Sequence, residues 1–262
     1  MQQDDDSVEL IPQNEQSGSG IRRRRGIYLL PNLLTTAALS CGFFAITSAI
    51  NGRYENAAVA IIVALVLDGL DGRVARLTNT QSDFGAQYDS MADVVSFGVA
   101  PAILMYTWAL APLGKLGWMA AFVHMAGGAL RLARFNVQLE NDDKRFFQGL
   151  PSPAAGAVLA CFVWVSFEYE FGYSWLPYAI LILTAVTGLL MVSNLRYYSF
   201  KDIDLRGKVP FIVACGVMLA FSIVFAHPPA TLFLLFFGYA LSGPLHTALL
   251  IYNKRKLRVI NK

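Results

Sequence analysis

Eight apolar windows, at 29–50, 55–78, 85–110, 117–138, 151–169, 175–193, 209–226 and 231–252, follow one another with only short polar connectors between them. Windows of roughly 20 residues match the hydrocarbon core of a bilayer. Connectors such as "NGRY", "TNTQSD" and "HPPA" carry turn residues and leave no room for a soluble domain. The chain is 55% hydrophobic and 15% charged, against about a quarter charged in a soluble domain. The expected fold is all-α: a polytopic membrane helix bundle of about eight transmembrane helices, with six as the alternative if the last two pack differently.

Charge placement orients that bundle. Of 21 Lys and Arg, only Arg53 and Lys115 fall on one face of the proposed topology. Arg22–Arg25, Arg73, Arg76, Arg131, Arg134, Lys144, Arg145, Arg196, Lys201, Arg206, Lys208 and the C-terminal cluster 254–262 fall on the other. Positive charge is retained on the cytoplasmic side, so both termini are expected there, in a multi-pass protein of the cell inner membrane. Residues 1–25 read as a disordered polar tail with a basic anchor, 26–254 as one membrane domain and 255–262 as a basic tail. A net charge of +3 gives no reason to expect nucleic acid. Cys41, Cys161 and Cys215 lie within apolar runs without metal-ligand spacing, as small buried hydrophobes do.

The densest charge nevertheless sits inside the second and third windows. Leu67–Gly98 holds five aspartates and two arginines. Asp68 and Asp71 are three apart and Asp89 and Asp93 four apart, so each pair shares a helix face. With a short turn joining two antiparallel helices, the four carboxylates converge. Bare carboxylates in a membrane cost several kcal/mol each, and two divalent cations would balance four of them. Oxygen-only ligands favour Mg²⁺, Mn²⁺ or Ca²⁺ over zinc. Gly69, Gly72 and Gly85 leave space beside the carboxylates, and Arg76 offers a fixed fork to phosphate. Together these describe a diphosphate site for phosphoryl-type displacement. The bland alternative is an ion or metal transporter using the aspartates as its path. Asp83 lies outside the pattern, as a solvated loop or cap residue.

Asp68-x-x-Asp71-Gly72-x-x-Ala75-Arg76, eight residues, then Gly85-x-x-x-Asp89-x-x-x-Asp93 resembles the full signature of the CDP-alcohol phosphotransferase family. Three further stretches, Gly26–Ile46, "RLARFNV" from Arg131 and "FQGLPSPAAG" from Phe147, resemble the membrane-integral bacterial phosphatidylserine synthases within it, as does "KDIDLRGKVPF" from Lys201. The resemblance implies a six-helix core plus two helices, in a homodimer embedded in membrane lipids. It implies transfer of a phosphatidyl group from CDP-diacylglycerol to L-serine with release of CMP, at a site facing the cytoplasm. Two divalent cations, Mg²⁺ or Mn²⁺, would be held by Asp68, Asp71, Asp89 and Asp93, with Asp93 also taking the proton from the acceptor hydroxyl. Asn32, Thr35, Gly72, Ala75, Arg76 and Gly85 would line the nucleotide and diphosphate site. The same chemistry on glycerol 3-phosphate, inositol phosphate or choline is the nearest rival.

For the acceptor, the resemblance points to Arg131, Arg134, Asn136 and Ser152, with Arg134 favoured as the partner of the serine carboxylate. Each has a plainer role. Arg131 and Arg134 can anchor a helix end at lipid headgroups, and Ser152 can cap a helix whose first turn holds Pro153. His124, His227 and His246 form no ligand set and read as packing or surface residues.

Overall fold

A computed structural model describes residues 20–138, 146–170, 172, 174–198 and 211–260. The tail over 1–19, the connector with Lys144 and Arg145, and the stretch from Lys201 through Pro210 lie outside the described residues. Among the described residues the chain is a bundle of eight helical rods, matching the eight apolar windows to within several residues at most ends. They are α1 (Gly20–Ile50), α2 (Tyr54–Leu77), a composite third rod, α5 (Lys115–Gln138), α6 (Ser152–Glu168), α7 (Leu176–Val192), α8 (Phe211–Ala226) and α9 (Pro228–Ile260). Three stretches, Leu30–Ile50, Asp83–Leu113 and Pro228–Leu249, are long and apolar enough to cross a membrane.

The composite rod begins with α3 (Asp83–Asp93). A π-helical turn, Val94–Val99, leads into α4 (Ala100–Met105), and a second π turn, Tyr106–Leu110, precedes a final 3₁₀ turn, Ala111–Leu113. Pro101 accounts for the first widening. It has no N–H, and its ring crowds the carbonyl four residues earlier, that of Phe97. Membrane helices tolerate such prolines by local π adjustment and by new donors to the freed carbonyls.

Helix ends depart from expectation in two places. α1 begins at Gly20, so the helix takes in Arg22–Arg25, read above as the basic anchor before the first apolar window; arginine is a strong helix former. α9 likewise runs through the basic stretch 255–260 rather than ending before it. The all-α expectation also omitted a small antiparallel ladder, Phe146–Gln148 (β1) with Arg196–Tyr198 (β2), which ties the α5–α6 and α7–α8 connectors together.

Small residues let the backbones approach where hydrophobic exclusion gives no drive between helices. α1 meets α2 through buried Ala45, Ala49, Ala57, Ala58, Ile61 and Ala64. α5 meets α7 at Gly127 and Gly188, where a Cβ on Gly127 would stand 2.4 Å from the Gly188 carbonyl oxygen. α9 covers α6, closing a second core of Leu150, Ala155, Val158, Met191, Tyr197 and Ala240. The outer faces show Leu33, Phe43, Val66, Trp118, Ile182, Leu189, Leu234 and Leu245, a girdle of large apolar side chains suited to lipid. Cys41 and Cys161 are free thiols.

Candidate active site

The aspartates are delivered by a tight turn between α2 and α3. Asn79 takes a left-handed backbone, φ 52°, which Asn tolerates because its short side chain bonds locally. The Thr80 amide donates to the Ala75 carbonyl at 3.0 Å, and the Thr78 and Thr80 hydroxyls pair at 2.7 Å. Ser82 then caps α3, accepting from the Gly85 amide at 3.1 Å. Asp83 sits in the first turn instead, where its charge suits the helix N-terminus. α3 packs mainly on α1, so α1 contributes to the site as fully as the two helices that carry the signature.

Asp68, Asp71 and Asp89 each offer a carboxylate oxygen, and these lie within 4.8 Å of one another. Asp71 is buried, and Thr35 Oγ1 from α1 donates to its Oδ2 at 2.7 Å. Asp89 Oδ1 is buried with no hydrogen-bond partner. Three convergent carboxylates, one with an orphaned oxygen, are a donor set that fits a hard divalent cation. Asp93 is not one of this trio, but its carboxyl hydrogen-bonds to that of Asp68 and lies within electrostatic reach of Asp89 and Arg131.

Next to the trio opens a cavity of about 250 Å³. Its walls include all six positions assigned above to nucleotide and diphosphate, Asn32, Thr35, Gly72, Ala75, Arg76 and Gly85, together with Asp71 and Asp89. Pro31, Thr80, Gln81, Ser82 and Ala86 complete the lining. Arg76, an exposed residue, lines this space. The turn residues Thr80, Gln81 and Ser82 had no sequence signal beyond their turn character. A Cβ at Gly85 would meet Ser82 Oγ at 3.1 Å and Asn32 Oδ1 at 3.4 Å, so glycine keeps that wall open.

The four acceptor candidates divide. Arg131 Nη1 donates to Ser152 Oγ at 3.0 Å, and its Nε is buried without a partner. Ser152 is fully buried and makes no capping bond; Pro151 occupies the cap position of α6. The capping alternative for Ser152 is therefore replaced by a partnership with Arg131. Arg134, three residues on, donates to Gln148 Oε1 at the end of β1. Asn136 bonds Ser90 Oγ at 3.2 Å and Gln87 Oε1 at 3.4 Å, linking α5 to α3. Two neighbours had no sequence signal. Tyr239 of α9 lies in the electrostatic field of Arg131, although it is more than a hundred residues away in the chain. Tyr88 of α3 pairs its hydroxyl with Thr36 at 3.0 Å. His124 is a fully buried residue bonded on both ring nitrogens.

A family model described as CDP-alcohol phosphatidyltransferase matches residues 28–192. A CDP-diacylglycerol–serine O-phosphatidyltransferase of Helicobacter pylori is 37% identical over 234 residues, 88% of this chain and 97% of that protein. The protein of that name from Mycobacterium leprae is 32% identical, covering 90% of this chain and 79% of its own. The one from Bacillus subtilis is 37% identical, covering 66% and 91%.

Proposed function

Because the chain belongs to the CDP-alcohol phosphatidyltransferase family, we propose that it is a membrane CDP-diacylglycerol–serine O-phosphatidyltransferase. The observation that carries the reading is the pairing of two neighbouring sites across one row of carboxylates. The cavity with Arg76 adjoins Asp71 and Asp89; Asp93, hydrogen-bonded to Asp68, lies within electrostatic reach of Arg131, which Ser152 holds.

Asp68, Asp71 and Asp89 would hold the divalent metal, and with Asp93 they would form a set for two ions, Mg²⁺ or Mn²⁺. When bound, the cations neutralise the diphosphate and the departing CMP. Thr35 holds Asp71 in its ligating orientation. Asn32 and the walls at Gly72, Ala75 and Gly85 receive the nucleotide, and the Arg76 fork takes phosphate oxygens. Asp93 accepts the proton of the serine hydroxyl as its oxygen bonds to the phosphorus carrying diacylglycerol. The bond from that phosphorus to the bridging diphosphate oxygen breaks, and CMP leaves. An alcohol needs such a base near neutral pH.

Serine rather than another alcohol is supported by the names of the relatives and by the arginine beside Asp93. A buried carboxylate calls for a charge-assisted partner. Arg131 suits that role better than Arg134, because it lies beside Asp93 and is oriented by Ser152, whereas Arg134 is engaged with β1. The proposal includes eight membrane crossings, cytoplasmic termini, a cytoplasm-facing site in the inner membrane and a homodimer.

The test is CMP release from CDP-diacylglycerol by the purified protein, with L-serine, glycerol 3-phosphate, inositol phosphate or choline as acceptor. Serine-dependent release that chelator abolishes and Mn²⁺ or Mg²⁺ restores is expected. Release with a different alcohol alone would reassign the acceptor, and cation flux without CMP release would favour a transporter.

A further inference from the structure

The π turn Val94–Val99 begins at the residue after Asp93, and one of its carbonyls is met by a side chain from another helix. Pro101 cannot donate to the Phe97 carbonyl, the one an α-helix would assign to it. Instead His124 Nε2 of α5 lies 3.2 Å from that oxygen. A carbonyl only accepts, so Nε2 carries the proton and Nδ1 is the acceptor. Thr187 Oγ1 of α7 stands 3.0 Å from Nδ1 and 2.9 Å from the Thr184 carbonyl, so its one proton is shared between two acceptors. The Phe97 carbonyl sets the tautomer, and Thr187 helps to hold the ring plane. The opposite side of the turn is held by Ser96, whose hydroxyl donates to the Ala38 carbonyl of α1 at 3.2 Å. Both His124 and Ser96 are buried. The turn can be gripped this closely because α6 passes it at Gly156, where a Cβ would stand 3.2 Å from Phe97 Cα.

A π turn adds one residue to the rod, and one residue is about 100° of rotation at 3.6 residues per turn. Phe97 within the turn, and Ala100, Leu104 and Met105 below it, are locked into the core. Above it, Asp93 must face Asp68 and Arg131. Reverting the turn to α geometry would swing Asp93 by that angle relative to the packed half of its own helix. We propose that His124 is a positioning residue for the transfer reaction: by supplying the donor that Pro101 lacks, it holds the π turn open and so aims Asp93 at the acceptor. This inference rests on the reading of Asp93 as the base. It also assigns Thr187 as the residue that orients His124.

The experiment compares His124→Leu, His124→Gln and Thr187→Val in the full-length enzyme, with Asp93→Asn as reference. Readouts are kcat, both KM values, and amide hydrogen exchange over residues 94–102. A glutamine amide can donate near the Nε2 position; leucine cannot. His124→Leu is expected to lower kcat by about tenfold to a hundredfold, the scale of a roughly 1 Å misplacement. Both KM values should change by less than about twofold, because substrate binding is not what is lost. Exchange over 94–102 should quicken, glutamine should restore both properties, and Thr187→Val should fall between. Wild-type kcat in His124→Leu, or glutamine as poor as leucine, would overturn the inference, as would parallel changes in kcat and both KM values. Should Asp93→Asn itself turn over near the wild-type rate, the base reading fails; faster exchange in His124→Leu would then still report the clamp on the turn, but its catalytic purpose would be refuted.

Discussion

Thr35→Val removes one hydroxyl and little volume, and the structure says where the loss should be felt. Thr35 Oγ1 stands 2.7 Å from Asp71 Oδ2 and 3.1 Å from the Pro31 carbonyl. Its single proton favours the shorter, charge-assisted acceptor. Hydrogen bonds to charged groups contribute about 1.5–3 kcal/mol, or roughly tenfold to 150-fold at 1.4 kcal/mol per tenfold. Because Thr35 and Asp71 are both buried, water cannot readily replace the donor. The Pro31 carbonyl keeps its backbone role in α1, so the cost falls on Asp71. Partners that orient a metal ligand are typically worth about 10- to 100-fold in metal affinity, which agrees with the hydrogen-bond figure. The Mn²⁺ or Mg²⁺ concentration giving half-maximal CMP release should therefore rise by about 10- to 100-fold. Much of kcat should return at saturating metal, and Thr35→Ser should lie near wild type. An unchanged metal requirement, or a kcat loss that no metal concentration recovers, would refute the assignment of Asp71 as a ligand held by Thr35.

Asp93→Asn should lower kcat by about 10²- to 10⁴-fold, the usual contribution of a positioned base, while keeping nucleotide binding by calorimetry; Asp71→Asn should lose both. Arg131→Ala should raise the KM for serine by roughly 30-fold to several thousandfold, since breaking a buried charge pair costs about 2–5 kcal/mol. Arg134→Ala should raise it less, and separate titrations of serine and CDP-diacylglycerol check the pair. Gly188→Ala places a methyl 2.7 Å from the His124 Cα and the Val123 carbonyl oxygen. It should destabilise the α5–α7 contact by about 1–3 kcal/mol, the usual cost of overpacking, seen as a lower melting temperature in detergent.

The carboxylate set is legible in the amino-acid sequence alone. Asp68 and Asp71, like Asp89 and Asp93, lie within a helical turn of each other, and the turn that joins the pairs spans only Thr78–Ser82. Helical periodicity and a short connection are local properties, so spacing along the chain is enough to bring carboxylates together. The apolar windows are legible for a similar reason, because the length of a bilayer-spanning helix is set by the solvent and not by its neighbours. Resemblance to known sequences adds Asn32 and Thr35, which spacing alone cannot relate to residues some forty positions on.

Other features are decided by packing. Periodicity treats the four aspartates alike, yet Asp68, Asp71 and Asp89 form one group, while Asp93 joins it only through Asp68 and also lies within electrostatic reach of Arg131. The π turn that follows Asp93 is likewise a tertiary feature: Pro101 lies on the same rod, but Ser96 is bonded to α1 and the Phe97 carbonyl is met by His124 of α5. Ser152 has the sequence context of a cap and is instead the partner of Arg131, because α5 and α6 bring them to 3.0 Å. Tyr239 reaches the same arginine through the packing of α9 on α6. Such contacts depend on how closely two helices approach and at what rotation. Those quantities are set jointly by small residues such as Gly127, Gly156 and Gly188, far apart in the chain, and no single segment carries them.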